Sequence, residues 1–397
     1  MKKILYVAST YGHIASFHIP YIKKLQENGF LVDVAAANSN EEAKNLLMKE
    51  LPESGFIDIS FEKKMFSYKN AKAVKQIRKK ISNRAYDIIS VHTSLASFYV
   101  RLAVLLLISQ KSLRPILINT VHGYLFDNKT SFLKRSLLLF AEKITRSVTN
   151  HLLVMNCDDY EIAQKYHLYQ DTLSMIPGMG IDTIRFSQEN FALLDRNEER
   201  KKLNLNQSDI VMIYAAEFSK RKNQKMLISA IQQLPPNVKL ILAGQGDQLE
   251  KCKKLSCQVN LTHSTSSREK NSVVRSAKEE RIIFLGHVGN LEYYYFISDI
   301  CVSSSSSEGL PFNIMEAMSM GLPVVATDVK GHKDLIEESI NGFLYEFDSM
   351  EGFRNTLMRL IELPSIALRQ IGENNTDKAS LYSLQEVLEK GLSIFNK

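Results

Sequence analysis

The chain predicts an α/β protein built from two doubly wound parallel sheets, and three observations carry that prediction. Its 397 residues exceed one ordinary hydrophobic core and suit two domains. Apolar runs of strand length alternate with amphipathic stretches of helix length. The alternation stops near Pro177-Gly178 and restarts near Val211, so the pattern occurs twice.

In the first half, strands are expected at Ile4–Ala8, Val32–Ala36, Ile88–Val91, Ile116–Thr120, Leu152–Val154 and Ser174–Ile176. Helices are expected at Phe17–Asn28, ended by Gly29, and near Ala96–Leu107 and Phe132–Ser147. In the second half, strands are expected at Val211–Ala215, Lys239–Ala243, Ile282–Leu285, Ile300–Val302 and Val324–Ala326. The stretch Ser256–Lys278 is polar and serine-rich and reads as a surface excursion. Leu381–Phe395 reads as a final helix. The domains are expected at 1–182 and 183–378, with 379–397 as a C-terminal helix. Pro177 to about Leu205 is expected as the hinge.

Composition narrows the function classes. Hydrophobic residues make up 45% and charged residues 23%, ordinary values for a globular protein. The four cysteines lack Cys-x-x-Cys spacing, and His-x-x-x-His and Asp-x-Asp pairs are absent, so no metal site is expected. The longest apolar run, Leu102–Ile108, is far shorter than a membrane-spanning helix. A Gly-x-Gly-x-x-Gly is missing, which argues against a nicotinamide cofactor. The net charge is +7, yet residues 1–182 hold 24 Lys and Arg against 16 Asp and Glu, so the excess sits in the first half. Lys63 to Arg84 holds nine basic residues and no acid, with Ala71, Val74, Ile77 and Ile81 near helical spacing. That is a basic amphipathic helix suited to an anionic membrane surface, and no nucleic-acid signature accompanies it.

The most informative segment is Glu308-Gly-Leu-Pro-Phe-Asn-Ile-Met-Glu316. A strand and five serines precede it, Gly-Leu-Pro opens a helix, and Leu322–Ala326 follows as a buried strand. A helix N-terminus at the carboxyl edge of a sheet favours an anion. Two acceptor-only carboxylates beside it suit hydroxyls better than phosphate. The ligand this suggests is a nucleotide diphosphate bearing a sugar.

This segment resembles the E-x7-E motif of the retaining family-4 glycosyltransferases, including bacterial capsule and exopolysaccharide transferases. Pro177-Gly-Met-Gly-Ile-Asp182, Lys220-Arg-Lys-Asn-Gln224, Leu242-Ala-Gly-Gln-Gly-Asp247, Val121-His-Gly-Tyr124 and Gly331-His-Lys-Asp-Leu-Ile336 are similar to further segments of that family. The resemblance implies two Rossmann-like domains facing across a cleft, the GT-B type. It implies that Glu316 holds the ribose, that Glu308 meets the transferred sugar, and that Gly309, Leu310, Phe312 and Asn313 line the phosphates. Lys222 is expected at the leaving diphosphate, with Gly12, Gly244 and Gly246 close to the nucleotide-sugar. The family usually has an Arg five residues before this Lys. Here that position is Glu217, so Arg221 or Lys220 is expected to supply the charge. His122 matches the histidine facing the sugar, while His13, His18 and His92 are acceptor-site candidates.

The expected activity is transfer of a sugar from a UDP-sugar, with retention and without a metal or other cofactor. The expected acceptor is a polyprenyl-diphosphate-linked glycan. The expected place is cytoplasmic, attached peripherally to the inner face of the membrane. A sugar-nucleotide epimerase and a non-catalytic sugar-nucleotide-binding partner subunit are the alternatives.

Overall fold

The computed structural model describes the chain except residues 63, 65–66, 84–85, 108–114, 128–129, 263–279 and 397. It divides into unit 1, residues 1–180 with 385–397, and unit 2, residues 181–384.

Unit 1 runs β1 (Lys3–Thr10), α1 (Tyr11–Phe17), α2 (Ile19–Glu27), β2 (Leu31–Ala37), α3 (Glu41–Glu50), β3 (Phe56–Asp58), α4 (Tyr68–Ser82), β4 (Ile88–His92), α5 (Ser94–Leu105), β5 (Ile116–Val121), α6 (Phe132–Thr145), β6 (His151–Val154), α7 (Cys157–Tyr166) and β7 (Thr172–Met175). Its seven strands are ordered β3-β2-β1-β4-β5-β6-β7 and pair in parallel. Every strand therefore ends at one edge, and each helix returns the chain to the other. β4 is buried throughout, as an inner parallel strand covered on both faces must be.

Unit 2 runs α8 (Arg196–Lys201), β8 (Ile210–Ala215), α9 (Gln224–Ala230), β9 (Val238–Ala243), α10 (Leu249–Thr262), β10 (Ile282–Gly286), α11 (Leu291–Phe296), β11 (Ile300–Ser303), α12 (Phe312–Ser319), β12 (Val324–Thr327), α13 (His332–Leu335), β13 (Gly342–Tyr345), α14 (Met350–Ile361) and α15 (Ser365–Ser380). Its order is β10-β9-β8-β11-β12-β13, again all parallel. α16 (Leu384–Leu392) ends the chain's α-helices and belongs, after its first residue, to unit 1. In that unit a Cβ on Gly391 would lie 3.6 Å from the Tyr21 ring.

Four differences from the sequence reading have physical reasons. The helix expected at Phe17–Asn28 is α2, which begins at Ile19 after a separate, unexpected α1, because Pro20 cannot donate into a ladder continuing from α1. The short strands β3 and β13 were not expected, their three and four residues being too few to show a period. The surface excursion expected from Ser256 begins as helix, since α10 extends to Thr262, and its remainder from 263 lies outside the described residues. The apolar stripe of the basic helix at Lys63–Arg84 does not face outward. Val74, Ile77 and Ile81, together with Ala73, are buried in the unit 1 core, while Ala71 is exposed with Tyr68 and the lysines of α4.

α6 is held to α5 by an ion pair whose arginine is buried. The Arg101 guanidinium of α5 donates to both Glu142 oxygens, at 2.8 and 3.0 Å, and is 1% exposed. Removing one partner leaves an uncompensated buried charge. Glu142→Ala is expected to cost about 3 kcal/mol of stability, and Arg101→Met with Glu142→Leu should recover most of it. Urea unfolding of the three chains checks this.

Candidate functional site

Unit 2 concentrates charge at the carboxyl edge of its sheet. The loop after β8 carries Arg221 and Lys222, and the loop after the neighbouring β11 carries Glu308. Lys222 Nζ donates to Glu308 Oε1 at 2.5 Å, and Arg221 donates to Oε2 at 2.7 Å. Ser305 Oγ also donates to Oε1 at 2.5 Å. Glu308 and Lys222 are buried, whereas Arg221 reaches solvent. Burial alone would raise the Glu308 carboxyl, but the two cations outweigh it and hold the group at about 2. Burial also lowers the Lys222 ammonium, against the pull of Glu308. Two cations share this one carboxylate, and Glu217 in the same loop also attracts both of them.

Serines from the run before Glu308 brace this arrangement. Ser304 Oγ donates to the carbonyls of Lys222 and Asn223, at 2.9 and 3.0 Å. Ser306 N donates to the Arg221 carbonyl at 2.9 Å. Tyr214, at the end of β8, links the Lys222 carbonyl with Ser305 Oγ. Glu217 is exposed in the same loop, and its carbonyl accepts from Gln224 Nε2. Arg221 thus brings to Glu308 the second charge that residue 217 lacks.

The loop Glu308–Pro311 leads into α12, whose N-terminus lies at this edge. Asn313, in its first turn, is buried, and its Nδ2 has no hydrogen-bond partner. A buried amide without a partner is costly. Gly309 and Leu310 precede the helix and Phe312 begins it. Gly331, at φ +79°, packs against this loop so closely that a Cβ would fall 2.6 Å from the Gly309 carbonyl oxygen. Glu316 lies one turn into α12, half-buried, with Tyr295 Oη 3.3 Å from its carboxylate. Burial pushes its carboxyl up to about 7, against weaker lowering by Tyr295 and Arg185. The two acids thus differ sharply: Glu308 stays ionised well into acid, and Glu316 takes up a proton near neutrality. Gly244 and Gly246 follow β9 at φ +137° and +153°, where a Cβ would meet the carbonyls of Ala216 and Phe218 within 2.1 and 2.3 Å. Their close approach is to the backbone of the loop after β8.

Unit 1 gathers histidines at the carboxyl ends of three adjacent strands. Gly12, His13 and His18 follow β1, His92 ends β4, and His122 follows β5. Ring centroids lie 4.4 Å apart for His18–His92, 5.0 Å for His13–His18 and 5.3 Å for His13–His122. Tyr6 Oη is 2.8 Å from His18 Nδ1, and its ring stacks on His92. His92 also meets Ser90 and His122, at 3.0 and 3.3 Å. Burial lowers all four imidazoles, His13 to about 4 and His122 to about 3. They are neutral at pH 7, so they address hydroxyls, or a metal, and not phosphate charge. The Nε2 atoms of His13 and His18 are buried without a partner. His13, His18 and His122 each bring one nitrogen within 4.8 Å of the others, a set able to hold a transition metal.

Several contributors were not found from the sequence. Tyr6, Tyr214 and Tyr295 lie in ordinary apolar runs. Thr93 takes φ +68° between β4 and α5, a strained setting for a β-branched residue, and is tied to Ser9 Oγ at 2.5 Å. No sequence signal marks it.

Residues 195–378 match the family described as Glycosyl transferases group 1. The chain is 27% identical to EpsD of Bacillus subtilis (strain 168), assigned by name to the glycosyltransferases, over 100% of this chain and 96% of that protein. It is 24% identical to the UDP-Gal:alpha-D-GlcNAc-diphosphoundecaprenol alpha-1,3-galactosyltransferase of Escherichia coli, covering 74% of this chain and 71% of that one. Among solved structures, Anabaena Alr3699/HepE in complex with UDP and glucose aligns over 100% of both chains, with TM-score 0.77 at 19% identity. WaaG, a glycosyltransferase of lipopolysaccharide biosynthesis, aligns over 98% of this chain and 99% of that one, with TM-score 0.70 at 16% identity. The fold and these matches define a glycosyltransferase of the GT-B type. Most of unit 2 matches the model of the Glycosyl transferases group 1 family, and over its whole length the chain is similar to a bacterial glycosyltransferase.

The charge cluster has a stated pH signature. Because the folded Glu308 carboxyl lies below its unfolded value, its stabilisation is full above about pH 4.5 and fades as pH falls towards 2. Lys222→Met should therefore lower Tm by a constant amount between pH 5 and 8, with the deficit shrinking below pH 4.5. Calorimetric melts of both chains across pH 3–8 check this.

Proposed function

We propose that this protein is a retaining glycosyltransferase that takes a sugar from a UDP-sugar and passes it to a hydroxyl of a polyprenyl-diphosphate-linked glycan. The observation that carries the reading is the buried Lys222–Glu308 pair, joined by Arg221 from the solvent side, beside the N-terminus of α12, with Glu316 one turn further. Unit 2 binds the donor. The ribose hydroxyls donate to Glu316, and the diphosphate meets Arg221, Lys222 and the amides at the start of α12. As the bond from the anomeric carbon to the diphosphate oxygen breaks, negative charge grows on that oxygen, and Lys222 stabilises it. The acceptor oxygen bonds to the same carbon from the face the diphosphate leaves, and its proton passes to the departing diphosphate. The neutral histidines of unit 1 present hydrogen-bonding nitrogens to sugar hydroxyls. The resemblance to a diphosphoundecaprenol-directed enzyme supports the lipid-carried acceptor, and the solved relative with UDP and glucose supports the donor. Attachment to the inner face of the membrane follows from such an acceptor.

Incubation with a panel of UDP-sugars and extracted membrane lipid separates this reading from its alternatives. Transfer releases UDP and extends the lipid, epimerisation returns an isomeric UDP-sugar, and a binding subunit does neither. The second and third outcomes each overturn the proposal. Glu316→Ala is expected to weaken UDP binding by roughly 1.5–3 kcal/mol in calorimetry. In the unaltered protein UDP affinity should rise about tenfold from pH 6 to pH 8, as the carboxylate that accepts the hydroxyls forms, and Glu316→Gln should abolish that rise. Lys222→Ala should lower turnover far more than it raises KM, because its charge matters most as the diphosphate departs. Turnover should be unchanged by EDTA, read as UDP release before and after chelation.

A further inference from the structure

The outer face of α6 is apolar on a helix whose inner face is apolar as well. Inward, Leu138 and Leu139 pack on the core around Leu152 and Ile162, and Glu142 pairs with Arg101. Outward, Leu133, Leu137, Phe140 and Ile144 follow one another at steps of four, three and four residues, which places them on one stripe. Phe132 and Leu133 are each 81% exposed, Phe140 60%, Leu137 49% and Ile144 40%. A surface helix ordinarily turns polar side chains to water, and a helix apolar all round needs cover. The charges beside the stripe are positive: Lys134, Lys143 and Arg146 are exposed, and the only acid on the helix is the inward Glu142.

The direction of the helix adds to this. α6 follows β5, whose carboxyl end carries His122, so Phe132 and Leu133 begin at the edge where the four histidines gather. α4, whose exposed Lys72, Lys75 and Lys79 point to solvent, packs on α5, and α5 packs on α6. One helical layer of unit 1 thus presents an apolar stripe and two sets of cations.

We infer that this face of α6 seats unit 1 on an anionic lipid bilayer, with Phe132, Leu133, Leu137 and Phe140 entering the interface and Lys134, Lys143 and Arg146 meeting lipid phosphates. Charge complementarity selects this occupant. A two-fold pair of chains would bring Lys134, Lys143 and Arg146 of one copy against their own like, whereas an anionic surface satisfies all of them. No described helix is long and apolar enough to cross a membrane, so the attachment is to its surface. The inference rests on the lipid-carried acceptor proposed above and names the surface that brings the histidine edge to it.

The test uses the full chain and vesicles of phosphatidylcholine with or without phosphatidylglycerol. Sedimentation should recover the protein with phosphatidylglycerol vesicles, less so in high salt, and hardly at all with phosphatidylcholine alone. Leu133→Glu, Leu137→Glu and Phe140→Glu together should reduce binding about tenfold or more, with the melting profile and UDP affinity unchanged. Lys134→Glu, Lys143→Glu and Arg146→Glu should remove the salt-dependent part. Unchanged binding in the apolar triple variant, equal binding to both vesicle types, or no binding by the unaltered chain overturns the inference. So does a dimer in sedimentation velocity that the apolar triple variant dissociates. If vesicle binding behaves as expected but no lipid is extended with any donor, the acceptor reading falls and the docking face stands.

Discussion

The buried carboxylate of Glu308 is the constraint on which the architecture of unit 2's sheet edge depends. An ionised group taken out of water must find compensation, and here two cations and a serine supply it. That requirement draws the loop after β8 against the loop after β11, and the serines before Glu308 hold the first loop by its carbonyls. The arrangement is more than a support. Arg221 also donates to the Ser307 carbonyl and reaches solvent, so the ion cluster that closes the fold presents a cation beside the loop that leads into α12. An anion arriving there adds to a network already ordered, and the protein need not reorganise to receive it.

The histidine edge of unit 1 follows the opposite rule. Four imidazoles lie close together because burial has kept them neutral; as imidazoliums they would repel one another in a medium that screens poorly. Neutral rings donate and accept hydrogen bonds, and two of their nitrogens are buried without a partner. Unit 2 thus presents paired charges at its sheet edge, and unit 1 presents uncharged polar atoms at its own. The strained backbone of Thr93, beside His92 and tied to Ser9, belongs to the same edge, where the surrounding sheet can sustain it.

Charge patterning misleads when burial is unknown. The basic segment at Lys63–Arg84 has the sequence of a membrane-surface helix, yet its stripe of Val74, Ile77 and Ile81 is core. α6 has a less conspicuous sequence and carries the exposed stripe. The two differ in how many apolar faces each helix has. α4 has one, and the sheet consumes it; α6 has two, and the sheet can consume only one.

The sequence by itself determined the repeated strand–helix order, because buried parallel strands demand continuous apolar runs and those runs stand out in the chain. It also marked the E-x7-E segment, the Lys222 loop and His122, since each lies in a short local motif at a strand end. Tertiary structure decided the rest. His13, His18, His92 and His122 are spread over more than a hundred residues, and only the order β1-β4-β5 makes their strand ends neighbours. The Glu308–Lys222 pair spans 86 positions and forms because β8 lies beside β11. The divergence of the two acids was equally out of reach. Glu308 and Glu316 are the same residue eight positions apart, and their protonation is set by neighbours that come from other strands and helices.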